Sequence, residues 1–165
     1  MKVVREFWLP LEGEKSKKVG VFVEDPYHLE RFVEAQNRGG NYSRALEEMH
    51  RGHKRSHWIW YVFPQIAGLA SSHTSREFAI SSLEEAELYS RHLVLGPRLL
   101  EITTVANSHL NKSAADIFGP DDVKFRSSMT LFMRADPGQK VFHDALVLYF
   151  HDEPDAKTDA ILRNS

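Results

Sequence analysis

DPYHLERFVEAQ, residues 25–36, is the stretch from which the fold is read. Asp25 followed by Pro26 is a helix-start signal. The carboxylate accepts from the free amides of a first turn, and a proline there loses nothing by lacking an N–H. Leu29, Phe32, Val33 and Gln36 recur at three- and four-residue steps, which predicts one buried face of an amphipathic helix. Gly39-Gly40 then stops it, since glycine accepts the left-handed backbone that ends a helix.

The same punctuation repeats downstream. Asn41 or Ser43 caps a second helix carrying Ala45, Leu46 and Met49, closed by Gly52. Ser82-Leu83-Glu84-Glu85 has capping-box spacing and opens a helix that Gly96-Pro97 should break. Pro97 opens the next, with Leu99, Leu100, Ile102, Val105 and Ala106 inward. Ser113 to Asp116 caps a short helix stopped by Gly119-Pro120. Asp121 or Asp122 starts another, and Asp136-Pro137 another with Val141, Phe142, Ala145, Leu146 and Tyr149 inward. Residues 152–165 read as a last short helix. Many capped helices with short connections predict an all-α, compact multihelical domain over residues 25–165.

Upstream, residues 1–24 differ. Two β-prone runs, 3–9 and 19–23, flank a charged segment at 13–18, and this arm is read as a hairpin or a loose extension. It lacks the apolar core of a secretory signal, and no apolar run approaches the roughly 20 residues of a membrane span, so the expectation is a soluble cytoplasmic protein with no membrane partner. A length of 165 residues suits a domain with a real core. A formal net charge of -2 gives no global pull toward nucleic acid, and none is expected as a partner. The absence of cysteine excludes disulfides, thiol nucleophiles and cysteine-bound zinc.

Two segments could carry chemistry. In residues 53–65 (HKRSHWIWYVFPQ), helical steps would place Lys54, His57, Trp58, Tyr61 and Gln65 along one stripe, with Ile59, Val62 and Phe63 facing the core. A cation, an imidazole and an indole together grip an anionic or planar ligand by ion pairing and stacking. The competing reading makes both tryptophans core anchors. In residues 121–132 (DDVKFRSSMTLF), Phe125, Met129 and Phe132 form an apolar stripe and Lys124, Ser127 and Ser128 a polar one. Hydroxyls so placed either line a pocket or bond back to the preceding turn. The candidate ligand-binding residues are therefore Lys54, Arg55, His57, Trp58, Trp60 and Gln65 from the first segment and Lys124, Arg126, Ser127 and Ser128 from the second.

Other chemistries find no motif. No Walker loop, Gly-x-Gly-x-x-Gly, His-Glu-x-x-His or Gly-x-Ser-x-Gly occurs. His50, His53 and His57 are interrupted by Gly52 and followed by no carboxylate in register, so neither a metal nor a cofactor is expected.

These segments also carry a resemblance. Asp25-Pro26-Tyr27 with residues 29–36, Lys54-Arg55-Ser56-His57-Trp58-Ile59-Trp60 with Phe63-Pro64-Gln65, Leu95-Gly96-Pro97-Arg98-Leu99, and residues 124–132 resemble, in order, the blocks of the DUF1810 family. The resemblance implies a multihelical single domain and no established activity. A more distant similarity is to the NADAR proteins, N-glycosidases of ADP-ribose-type substrates. It would make Glu34 a catalytic acid/base, Trp58 or Trp60 a base-stacking wall, and Lys54, Lys124 or Arg126 a phosphate anchor. Two functions are thus expected to compete. One is a pocket for a small anionic, partly planar ligand of nucleotide or ribosyl-phosphate type, with N-glycosidase-like hydrolysis as its catalytic form. The other is a non-catalytic adaptor that uses Trp58, Trp60 and Tyr61 as an exposed aromatic patch. Oligomeric state is not legible in the sequence.

Overall fold

The structure, a computed structural model, describes residues 2–9 and 17–165. Met1–Arg31 and Phe32–Ser165 form two compact units, taken here in turn. In the first, strand β1 (Lys2–Leu9) pairs antiparallel with β2 (Lys17–Glu24), Lys2 opposite Glu24 and Leu9 opposite Lys17. The connection between them, including most of the charged segment from Gly13, lies outside the described residues. Asp25 serves the helix start from a distance, and Pro26 does not take the first helical position expected of it. The Asp25 carboxylate accepts from Leu29 N at 2.7 Å and Glu30 N at 3.0 Å, and helix α1 begins only at Glu30 (Glu30–Asn37). Residues 26–28 make a separate turn that His28 closes in the left-handed region (φ 53°).

The second unit is all-α. Gly39 and Gly40 stop α1 with φ of 56° and 69°, values a side chain disfavours. There follow α2 (Asn41–His50), a single turn α3 (Ile59–Val62), α4 (His73–Glu77), α5 (Leu83–Arg91), α6 (Leu95–Asn107), α7 (Ala114–Phe118), α8 (Asp122–Ala135), α9 (Lys140–Phe150) and α10 (Ala156–Arg163). The central element is α8, packed by α5, α7, α9 and α10. Its Phe125, Met129 and Phe132 are fully buried, and the Phe125 ring stacks on Phe118 with centroids 4.2 Å apart. Around it Phe63, Tyr89, Phe142 and Leu146 complete an aromatic-rich core, whose burial is the main stabilising term.

The capping predictions hold at α5 and α7 and fail at α2, which Gly40 precedes with no side-chain cap while Asn41 Nδ2 donates to the Ala35 carbonyl at 2.9 Å; α8 and α9 likewise start without an aspartate side-chain cap. Ser113 and Asp116 form the full reciprocal box. Ser82 Oγ accepts from Glu85 N, but Glu85 reaches back to the N–H and hydroxyl of Ser81 instead of Ser82. Gly96-Pro97 does not separate α5 from α6. The break is at residues 92–94, and both residues sit inside the first turn of α6, where proline is tolerated. Gly96 is needed there because a Cβ would lie 2.1 Å from the Ser90 carbonyl oxygen.

The largest departure concerns residues 53–65. The expected helical stripe does not exist, because only Ile59–Val62 are helical. Glu48 is the reason. From the end of α2 its carboxylate accepts from Arg55 N (2.8 Å), Ser56 N (3.1 Å), the Ser56 hydroxyl and Trp58 Nε1 (2.8 Å). Side-chain acceptors that capture backbone donors compete with helix formation, and here they wind residues 53–58 into a loop.

Candidate functional site

Glu48 is buried, and burial alone would raise its pKa. The hydrogen bonds from Arg55, Ser56 and Trp58 outweigh that and hold the carboxyl down at about 2. This charged hub fixes the loop that carries Lys54. Lys54 Nζ reaches Asp121 Oδ2 at 2.7 Å and the Ser56 carbonyl at 2.8 Å, beside the face of Trp58 at 5.2 Å. Asp121, just before α8, takes a second cation: Lys124 Nζ lies 2.5 Å from its other oxygen. Burial works to raise the Asp121 pKa, but the two lysines prevail and lower it. Lys124 Nζ also sits 4.8 Å over the Trp60 ring, so one carboxylate and one indole fix its position.

Past Trp60 opens a cleft of about 340 Å³, lined by Trp60, Gln65, Lys124, Ser127, Asp155 and Lys157 among others. Two helices begin at its edge. Val123 and Lys124 belong to the first turn of α8, and Asp155 and Lys157 flank the start of α10, so residues of two helix starts, two lysines among them, line one space. Asp155 is the single carboxylate among the residues that line it. Its Oδ2 faces α10, accepting from Thr158 N at 2.8 Å and from the Thr158 hydroxyl at 2.6 Å. Lys157 is exposed and has no ion-pair partner among the described residues.

A second, smaller cavity of about 100 Å³ adjoins the first. Trp60, Gln65, Leu69 and Ala70 line both, and Ser75 and Phe78 close the smaller one. Gln65 is 6% exposed, and its Nε2 has no hydrogen-bond partner. Its backbone is pinned by the bridge between Ile66 and Ile80, where Ile80 N donates to the Gln65 carbonyl at 2.9 Å.

Of the sequence candidates, Trp60, Gln65, Lys124 and Ser127 meet in the cleft, and Lys54 stands behind it as Asp121's inner partner. The others do not meet there. Trp58 is 2% exposed and donates to Glu48, which makes it a core anchor instead of a stacking wall. Arg55 and His57 point from the loop into solvent. Arg126 reaches away to the turn before α10, donating from Nε to the Glu153 carbonyl at 2.8 Å. Ser128 is fully buried and lines neither cavity, and its hydroxyl has no partner. Ser127 combines both readings: it lines the cleft and donates back to the Val123 carbonyl at 3.0 Å. Glu34, the proposed acid/base, is exposed on α1 and lines neither cavity. The aromatic patch is also not formed as expected, because Trp58 is sealed in the core.

Glu48, Asp121, Asp155 and Lys157 were missing from the sequence-derived site. The Asp121–Lys124 spacing of three was a visible local signal. Lys157 was not findable, since only tertiary packing carries the chain's last helix to the start of α8.

Comparison with known proteins bears on the family and the fold. A family model described as "Protein of unknown function (DUF1810)" matches residues 26–162. The crystal structure at 1.38 Å of the conserved hypothetical protein Rv1873 from Mycobacterium tuberculosis is similar, with a TM-score of 0.81 and 46% identity over 84% of this chain and 99% of that one. No curated protein matches. Among the described residues, no helix is long and apolar enough to cross a membrane, and no group of three or more potential metal ligands occurs.

Proposed function

The chain belongs to the DUF1810 family, a family of unknown function, and from that premise we propose that this domain binds a small anionic, partly planar ligand of nucleotide or ribosyl-phosphate type in the cleft between α8 and α10. One observation carries the reading. Lys124 and Lys157, from two helix starts, and the indole of Trp60 line a space of about 340 Å³, which is the size of small-molecule sites. Lys124 and Lys157 supply the charge, and Trp60 supplies the flat wall.

The geometry supports binding over glycosidic hydrolysis. A glycosidase needs a carboxylate beside the reacting carbon. Here Glu34 lies outside both cavities, and the Asp155 carboxylate is engaged at the start of α10. We place the domain in the cytoplasm, where phosphorylated metabolites are available to such a cleft.

Thermal unfolding with and without ligand tests the reading. Ribose 5-phosphate or a nucleoside monophosphate at one hundred times its dissociation constant should stabilise the fold by about 2.7 kcal/mol. The Lys124→Ala variant should lose most of that gain. No stabilisation of the wild type by either compound at millimolar concentration overturns the proposal.

A further inference from the structure

We infer that the ligand is anionic at both ends: its phosphate lies in the α8–α10 cleft and its flat ring carries a carboxylate that Arg76 binds in the adjoining smaller cavity. This deepens the binding proposal and rests on it, since it selects nucleotides whose ring bears a carboxylate over those whose ring is uncharged.

Three observations lead here. The two cavities share Trp60, Gln65, Leu69 and Ala70 in their walls, so one elongated molecule can reach both. The cations are divided between them: Lys124 and Lys157 line only the larger cleft, and Arg76, on α4, lines only the smaller cavity. No carboxylate lines the smaller cavity, so its charge is positive, and apart from Arg76 its wall is uncharged, with Trp60, Phe78 and Leu69 suited to the edge of a flat ring. The guanidinium is also uncommitted. Lys124 is shared with Asp121, but the Arg76 side chain has no hydrogen-bond or ion-pair partner among the described residues. An exposed arginine elsewhere on a surface would mean nothing by this alone. Here it stands at one end of a space whose other end is already cationic, with the Trp60 indole in the wall between them. Guanidinium offers two parallel N–H groups that match a carboxylate, and a free one binds it without first breaking an internal pair. A cavity of about 100 Å³ suits such a small planar group.

Isothermal titration of the full chain with two matched pairs tests this. Orotidine 5′-monophosphate differs from uridine 5′-monophosphate by a ring carboxylate, and nicotinate mononucleotide differs from nicotinamide mononucleotide by a carboxylate in place of an amide. In at least one pair the carboxylated nucleotide should bind about tenfold tighter, the factor expected of one charge-assisted contact. Arg76→Gln should abolish that preference and leave the affinity of the uncharged-ring nucleotides unchanged, because Arg76 does not line the larger cleft. Its melting temperature should match the wild type, since no internal partner is lost; Arg76→Met serves if the glutamine variant fails to fold. Lys124→Ala should weaken both members of each pair alike. Equal binding within both pairs, or a preference that survives in Arg76→Gln, refutes the carboxylate site and leaves the anion cleft standing. Loss of all four nucleotides in a folded Arg76→Gln protein refutes the division of charge between the two cavities. Binding of none of the four refutes both the carboxylate site and the anion cleft.

Discussion

Glu48→Gln isolates the contribution of a single buried charge. The substitution keeps the shape of the side chain and replaces one accepting oxygen by a donating amide. The wild-type carboxylate takes hydrogen bonds from Arg55 N, Ser56 N, the Ser56 hydroxyl and Trp58 Nε1. In the variant at least one of these donors faces another donor. The carboxyl is held at about 2 against an ordinary value of 4.5. At roughly 1.4 kcal/mol per tenfold change in proton affinity, that difference corresponds to about 3 kcal/mol of folding stability at neutral pH. For a domain of this size, the loss lowers the melting temperature by about 6–12 °C. The sign with pH follows from the depressed pKa. The stabilisation is complete above the unfolded value of 4.5, and it is lost as pH falls through the interval down to about 2. Denaturant titrations at pH 7, 4 and 3 should therefore show the variant well below the wild type at neutral pH and converging with it in acid. A Glu48→Gln protein as stable as the wild type at pH 7, or a gap that persists unchanged at pH 3, would refute the account of Glu48 as a charged hub.

Three further substitutions follow from the site and the fold. Asp121→Asn leaves Lys54, whose side chain is 7% exposed, without its counter-ion and should lose about 3 kcal/mol in urea unfolding. Lys124→Ala removes the more open partner of the same carboxylate and should lose under about 1 kcal/mol, so equal losses would contradict the assigned burial order. Gly96→Ala pushes a methyl group into the Ser90 carbonyl of the preceding helix and should destabilise by about 1–3 kcal/mol; an unchanged melting temperature would show that the α5–α6 junction relaxes freely.

The helical character of the domain was legible because its signals are local. The box from Ser113 to Asp116, the stop at Gly39-Gly40 and the cap at Ser82 each act within one turn. Residues 53–65 misled for the converse reason. Their spacing fits a helix, but the donors of Arg55, Ser56 and Trp58 are captured by Glu48, a residue outside the segment. Half of the candidate site was recoverable in the same sense. Trp60, Gln65, Lys124 and Ser127 were chosen as groups able to grip an anionic or planar ligand, and they line one cleft. Trp58 has the same composition signal and the opposite fate, because one neighbouring carboxylate satisfies its indole N–H inside the core. Arg126, two residues after Lys124, points elsewhere because helical residues two apart do not share a face.

The shared carboxylate of Asp121 has a consequence for ionic strength. Its two limbs differ in exposure: the Lys54 side chain is 7% accessible and that of Lys124 29%. Dissolved ions screen an open pair far more than a sealed one. Rising salt therefore loosens the hold on Lys124 first, while the Lys54 limb keeps the loop of residues 53–58 anchored. Moderate salt then acts on the cleft's cation without acting on the frame that carries it, so electrolyte sensitivity at the mouth of the cleft and electrolyte tolerance of the fold coexist in one three-residue cluster.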